Sequence, residues 1–342
     1  MCKLAGGIKI VFVRFSVIVP LYNKAPYVAR TLQSVLYQTY DDYELIVVDD
    51  GSTDGSCEAV EKMTLDNPKM RNLHDSGRFK LIKQVNSGVS TARNNGVKMS
   101  CGDYLCFLDA DDWWADGFLA AMDKLVVEYP EAAAFGTAYY YYKNGFPREL
   151  DFGLQKDFKS GYINYCRQYA DSMQMPLWTG AVAVRRVAFL DLKGFPVNLT
   201  LGEDFYLWIQ LALNYKVVFL NENLSYYFQD VPVEKRAVGK LHNPQTHMLW
   251  NLSFLEGCEY TNPDYKYLID KLRVTGLFLY YLDKQYHEAA LQELKKVDWS
   301  LQPLSIRLQY KTPISVLRML HRMRLVASNV KQWIIKKKKR NL

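Results

Sequence analysis

The sequence has no GxxxxGK[ST] loop, no GxGxxG turn between a strand and a helix, no GxSxG elbow and no HExxH pair. Phosphate-loop, dinucleotide, serine-hydrolase and zinc-peptidase chemistries therefore lack their usual signatures. Histidine is scarce, with five residues scattered at 74, 242, 247, 287 and 321, which speaks against a histidine-built metal centre. The six cysteines (2, 57, 101, 106, 166 and 258) form no CxxC and no Cys/His ligand spacing, and read as buried thiols of a reducing compartment. No uncharged run approaches the roughly 20 residues of a membrane-spanning helix. The apolar stretch Ile8–Val19 is broken by Lys9 and Arg14 and runs on into a strand pattern, so a cleaved leader is not expected there. No internal repeat is evident. Acidic residues are absent from the last 44 positions, which hold eleven Lys and Arg; with a net charge of +7 overall, the first 298 residues are net −4. A basic face for nucleic acid is not indicated outside that tail.

What is present suits an ordered protein. Hydrophobic residues make up 49% of the 342, with only 19 Gly and 12 Pro, enough for a large domain with or without a helical appendage. The 25 tyrosines suit stacking on sugars or bases, and equally suit a core.

Short apolar runs alternate with helical periodicity in the first half. The pattern predicts strands over Phe15–Val19, Leu45–Val48, Phe79–Lys83 and Tyr104–Leu108, and helices over Val28–Tyr37, Cys57–Met63 and Thr91–Met99. Near-continuous apolar strands separated by helices imply an α/β fold with a parallel sheet covered on both faces. Further on, strands are expected at Ala132–Tyr142, Ala181–Arg185 and Lys216–Phe219, a helix at Glu203–Leu213, and helices from about residue 264 onward, including Tyr267–Leu282 and His287–Val297.

The polar motifs fall where strands end, which is where open α/β sheets bind ligands. Phe107–Asp112 (FLDADD) places three acids in four positions after a buried strand. Clustered carboxylates call for positive charge, and a hard divalent cation bridging to phosphate would supply it. Alternatively Asp111 or Asp112 caps a helix. Asp49 and Asp50, before Gly51-Ser52, would recognise a base or ribose, or merely form a turn. Arg93 would pair with phosphate or orient an acid, or is an ordinary surface arginine. Asp204, in Gly202-Glu203-Asp204, would be a general base beside a paired acid, or a first-turn helix residue.

Taken in order, SVIVPLYN (16–23), LIVVDDGSTDGS (45–56), NSGVSTARNNG (86–96), YLCFLDADDWW (104–114), WTGAVAVRR (178–186), GF (194–195) and GED (202–204) strongly resemble family 2 glycosyltransferases over residues 15–230. The resemblance implies the GT-A fold, a Rossmann-like mixed sheet flanked by helices, with a helical C-terminal extension. It implies that Pro20, Tyr22 and Asn23 frame the pocket for a donor's base, that Asp50 contacts base or ribose with Asp49 in support, and that Arg93 lies near the donor. Asp109 and Asp111 would be the DxD pair, Asp111 coordinating Mn2+ or Mg2+ on the diphosphate, with Asp112 an additional acid. Trp178, Thr179 and Gly180 would border the sugars and Asp204 would be the catalytic base; the residues themselves suggest that the paired acid Glu203 binds the acceptor or adjusts the base's pKa. The implied reaction is inverting transfer from a nucleotide diphosphate sugar, by default UDP-linked, to a saccharide or lipid-linked saccharide. A metal-dependent nucleotidyltransferase, or a non-catalytic sugar-nucleotide-binding or scaffold protein, are the alternatives. The QxxRW motif of processive synthases is missing, and the stretch after Phe228 reads QDVPVEKR, so single-residue transfer is expected.

The expected organisation is an N-terminal extension (1–14), a catalytic domain (15–235, with a nucleotide-sugar half 15–112 and an acceptor half 113–235), a helical region (236–315) and a basic tail (316–342). In the tail, Leu317, Leu320, Met323, Val326, Val330, Trp333 and Ile334 recur at helical spacing ahead of Lys336–Arg340. An apolar helix face with flanking cations suits an anionic membrane surface. The alternative is a terminal helix packed on the protein with a solvated charged end. Peripheral attachment at the inner face of a bacterial membrane would suit a lipid-linked acceptor in polysaccharide, capsule or lipopolysaccharide assembly.

Overall fold

Strand β1 (Phe15–Leu21) is buried at every position, as expected of a strand covered on both faces. The computed structural model describes residues 13–230 and 241–324. It divides into two units, Met1–Asn251 and Leu252–Leu342. The N-terminal extension up to residue 12, most of QDVPVEKR and the tail beyond residue 324 lie outside the described residues.

After β1 come α1 (Val28–Leu36), β2 (Tyr43–Asp49), α2 (Ser56–Asp66), α3 (Pro68–Asp75), β3 (Phe79–Lys83), α4 (Val89–Lys98) and β4 (Tyr104–Phe107). Strands β3-β2-β1-β4 lie side by side and all run parallel. Gly96 lets α4 press onto the sheet, because a Cβ there would come within 2.6 Å of Ile18 Cγ2. The core of this half includes Val17, Val19, Leu32, Leu45 and Val47, all fully buried; each such side chain contributes roughly 1.5–3 kcal/mol.

The second half completes a ten-stranded mixed sheet. Its elements are β5 (Trp113–Trp114), α5 (Phe118–Glu128), β6 (Ala132–Lys143), β7 (Phe146–Arg148), β8 (Ser160–Ile163), α6 (Tyr165–Ser172), β9 (Val182–Arg185), α7 (Arg186–Asp191), α8 (Glu203–Asn214) and β10 (Lys216–Phe228). Strand β9 joins the halves by pairing antiparallel with both β4 and β6. Strand β10 runs well past the expected Phe219, with register shifts around Asn223.

No helix starts at the FLDADD acids. Trp113 stacks on Tyr226 (ring centroids 5.0 Å apart), Trp114 stacks on Phe118 (4.1 Å), and both tryptophans pair with β10. The capping alternative for Asp111 and Asp112 is thereby ruled out. The unit boundary also falls later than the expected 235. Residues 241–251 belong with the first unit because Leu201 bridges His247, and Met248 lies where a Cβ on Gly202 would sit.

The second unit is helical: α9 (Glu256–Thr261), α10 (Pro263–Gly276), α11 (Phe278–Leu282), α12 (His287–Leu294), α13 (Leu304–Lys311) and helical residues 314–324. Its interior holds an ion network. Arg273, 1% exposed, takes both oxygens of Glu259 at 2.7 Å and lies 3.4 Å from Asp270. Among the described residues, no helix is long and apolar enough to cross a membrane.

Candidate active site

A cleft of about 350 Å3 opens beyond the ends of β1, β2 and β4. Pro20, Tyr22, Asp50, Arg93, Asp109, Asp111 and Glu203 line it, with Lys24, Asn86 and Gly88. Asn23, Asp49, Trp178, Gly180 and Asp204 are outside that lining.

The loops around the cleft are locked by short polar side chains. Asn23 sits in the left-handed region (φ 52°), and its side-chain oxygen accepts the Thr53 N–H at 2.8 Å while Ser52 Oγ accepts its own N–H at 3.1 Å. Asn23 thus ties the loop after β1 to the loop after β2 instead of facing the cleft. Asp49 accepts the Ser52 N–H at 3.2 Å and acts as the turn former. Asp50 accepts the N–H groups of Ser87 (2.8 Å) and Gly88 (2.9 Å) and Nε2 of Gln84 (2.8 Å). A carboxylate has about four acceptor positions, so Asp50 shapes the loop before α4 and keeps little capacity for anything else.

Two cations hold the acid turn. Arg93, 4% exposed, donates to Asp109 Oδ1 at 2.7 Å and to Glu203 Oε1 at 3.2 Å. Burial alone would lower its pKa, but Asp109 and Glu203 outweigh that and hold it above the ordinary value. Lys24 Nζ pairs with Asp111 Oδ2. Burial pushes the Asp111 carboxyl up, Lys24 pulls it back and Asp109 adds to the rise. Asp112 is raised further by burial and by Asp111, yet it plays a structural part: Oδ1 accepts the Phe228 N–H at 2.7 Å, fixing the end of β10. It is outside the cleft lining.

Asp204 stands in the first turn of α8, whose N-cap is Gly202 at φ 83°. Asp204 Oδ1 accepts the Phe205 N–H (2.7 Å) and Oδ2 accepts the Thr179 hydroxyl (3.3 Å). The first-turn and base readings are therefore compatible, since each oxygen retains a free lone pair. Burial raises its pKa and Arg93 opposes the rise. Burial and then Asp204 lift Glu203 to about 7, against Arg93. Trp178 packs against Tyr139 and Tyr227 at 4.6 and 4.8 Å, and the Gly180 carbonyl accepts Trp114 Nε1 and Ser225 Oγ, both at 2.7 Å. These residues support Thr179, and through it Asp204.

Lys24 and Gln84 escaped the sequence reading. A lone lysine just past the end of β1 was the available signal for the first; the Gln84 contact depends on β3 meeting β2 in register. Among the described residues, no three of His, Cys, Asp or Glu come together as a metal-holding group.

The glycosyl transferase family 2 model matches residues 16–189. Glycosyltransferase GlyA of Streptococcus pneumoniae serotype 4 is 33% identical over 224 residues, covering 63% of this chain. The chain spans only about a third of GlyA, the match covering 30% of its length. Glycosyltransferase GlyG of the same organism is 27% identical over 258 residues, 70% of this chain and 77% of GlyG. Among solved structures, S. aureus TarS 1–349 in complex with UDP-GlcNAc superposes with a TM-score of 0.67 at 18% identity, covering 84% of this chain and 83% of that one. The mannosyltransferase PcManGT from Pyrobaculum calidifontis, in complex with GDP-Man and Mn2+, gives 0.54 at 19% identity over 93% of this chain and 86% of its own. At such identities the superpositions speak for the fold, a GT-A arrangement with a helical extension, while the family match covers just over half of the sequence: the chain belongs to glycosyl transferase family 2.

Proposed function

We propose that this chain catalyses inverting transfer of a sugar from a nucleotide diphosphate sugar, UDP-linked by default, to a hydroxyl of a saccharide or lipid-linked saccharide in polysaccharide, capsule or lipopolysaccharide assembly. The observation that carries the proposal is the Arg93 clamp. One buried guanidinium joins Asp109, on the turn after β4, to Glu203, the residue before Asp204. Donor-side acids and the candidate base are thus held in fixed relation, as a displacement reaction requires.

In this mechanism the donor's base and ribose lie against Pro20 and Tyr22, beside the loop shaped by Asp50. Asp204 takes the proton from the acceptor hydroxyl, whose oxygen attacks the anomeric carbon from the face opposite the diphosphate. The bond between that carbon and the diphosphate oxygen breaks as the new glycosidic bond forms, so the anomeric configuration inverts and no covalent enzyme intermediate arises. Asp109 and Asp111 fit a hard cation: both are oxygen donors on one turn, both line the cleft, and burial and Asp109 keep the Asp111 carboxyl raised even with Lys24 beside it. Mn2+ or Mg2+ held by these two residues would supply charge neutralisation at the leaving diphosphate. The sugar nucleotides bound by TarS and PcManGT are in keeping with this proposal. Titration calorimetry with UDP, GDP and dTDP tests it. One nucleotide is expected to bind, more tightly with Mn2+ than with EDTA; no binding by any of the three would contradict a donor site.

The same proposal places the protein on an anionic membrane surface. In helical residues 314–324, Leu317 is buried, whereas Val316, Met319, Leu320 and Met323 form one exposed apolar stripe with Arg318, Arg322 and Arg324 nearby. Leu317, expected on the membrane-facing side, is buried and stands apart from that stripe. Co-sedimentation with phosphatidylglycerol vesicles should fall strongly when residues 314–342 are deleted; equal partitioning of both forms would remove the membrane role.

A further inference from the structure

We propose that Lys24 is an internal counter-cation, holding the Asp111 carboxylate until a divalent cation displaces it, and that the displaced ammonium then binds the donor's diphosphate. The inference rests on the reading of Asp111 as a cation ligand, and goes beyond it by assigning a role to a residue outside the family motif pattern.

The backbone of Lys24 is fixed. Its N–H donates to Ser56 Oγ at 2.8 Å, and its carbonyl accepts from the N–H groups of Tyr27 (2.9 Å) and Val28 (3.0 Å) at the entry to α1. Just before it, Asn23 locks the loop through its left-handed turn and its bond to Thr53. The side chain is a flexible arm on this rigid mount and lines the cleft. Its ammonium sits on Asp111 with the lysine side chain 27% exposed and the aspartate 14%.

Arg93 shows the contrasting design. Its side chain is 4% exposed, and a rigid planar fork spans two acids. An arginine so placed stays where it is. Lysine presents a compact charge on a four-carbon stem and relocates readily.

Electrostatics favours an exchange. Without a ligand, the acid turn needs a cation near Asp111, because an uncompensated carboxylate in a poorly solvated site is costly. A divalent ion brings twice the charge to the same oxygens. If Lys24 stayed, ion and ammonium would repel each other across one carboxylate. An arriving diphosphate brings negative charge for which an ammonium is a natural partner. The exchange leaves Asp111, the ion, the ammonium and the diphosphate each with a counter-charge.

The test uses the full chain without donor sugar. Mn2+ affinity is read by electron paramagnetic resonance of the free ion for wild type, Lys24→Gln, Lys24→Met and Asp111→Asn. Pyrophosphate affinity at saturating Mn2+ is read by calorimetry, with inorganic pyrophosphate as a probe free of any base preference. Both lysine variants should bind Mn2+ about tenfold tighter and pyrophosphate about tenfold more weakly, each a change of about 1.4 kcal/mol. Asp111→Asn should lose the Mn2+ site. If Asp111→Asn loses Mn2+ while the lysine variants bind it no tighter than wild type, the displacement is wrong and the metal reading stands. If the lysine variants gain Mn2+ affinity but keep pyrophosphate affinity, the transfer of the ammonium to the diphosphate is wrong. If Asp111→Asn binds Mn2+ as wild type does, the metal reading itself fails and takes this inference with it.

Discussion

Asp204→Asn is expected to lower transfer by about 10^2- to 10^4-fold, the range for losing a general base, with donor affinity little changed. The amide is nearly isosteric and still accepts at one oxygen from Phe205 N–H or the Thr179 hydroxyl, so the turn at the start of α8 should persist. The wild-type rate should also show an acidic limb. A base must be unprotonated to act, and burial raises the Asp204 pKa above the ordinary carboxylate value. Activity should therefore fall with decreasing pH earlier than an exposed aspartate would impose. In Asp204→Asn that limb should vanish along with most of the rate. Full activity in the variant would remove Asp204 from the base role and leave it as a first-turn residue.

Arg93→Met should remove about 3 kcal/mol of stability at pH 8, the lower end of the cost of breaking a buried ion pair, because Arg93 is buried while its acid partners are only partly so. Asp109 and Glu203 both lose their ion pair, and Asp204 loses the charge that opposes its raised pKa. The deficit should shrink as pH falls. A carboxyl whose folded-state pKa lies above its unfolded value takes up protons on folding as pH drops. Its penalty is complete above the folded value and is relieved toward the unfolded one. For Glu203 in the wild type that window runs from about 7 down to the ordinary 4.5, and losing Arg93 moves its upper edge higher. Urea unfolding at pH 8 and pH 5.5 reads the effect directly. A deficit of the same size at both would mean that Arg93 stabilises through packing, for instance over Phe195, whose ring centre lies 5.0 Å from the guanidinium carbon, and not through the acids.

Strands β1, β2 and β4 were legible because they are buried at every position and read as near-continuous apolar runs. Strand β3 has the very bounds its pattern predicts, Phe79–Lys83. Helix α3 was not legible: of PKMRNLHD only Met70 and Leu73 are buried, so no apolar stripe marks it. The far half of β10 was hidden by Asn221, Glu222 and Asn223, which break the apolar run at the point where the strand's register shifts against β6. At the site, the acids stood out because they follow strands. Their individual duties did not. Asp111 and Asp112 are neighbours of the same chemistry, yet one lines the cleft and the other secures the Phe228 N–H. Only the pairing of β5 with β10 decides which is which. Lys24 was invisible for a related reason, since its partner is 87 residues away.

The most direct test is release of nucleoside diphosphate from a panel of UDP-, GDP- and dTDP-sugars, with Mn2+, Mg2+ or EDTA, by wild type and Asp204→Asn in parallel, in the presence of saccharide and lipid-linked saccharide acceptors. Sugar transfer by this cleft predicts release from one donor by the wild type, loss of that release with EDTA, and near-complete loss in the variant. Equal release by both proteins, or no release where calorimetry shows that the donor binds and acceptors are supplied, would contradict it.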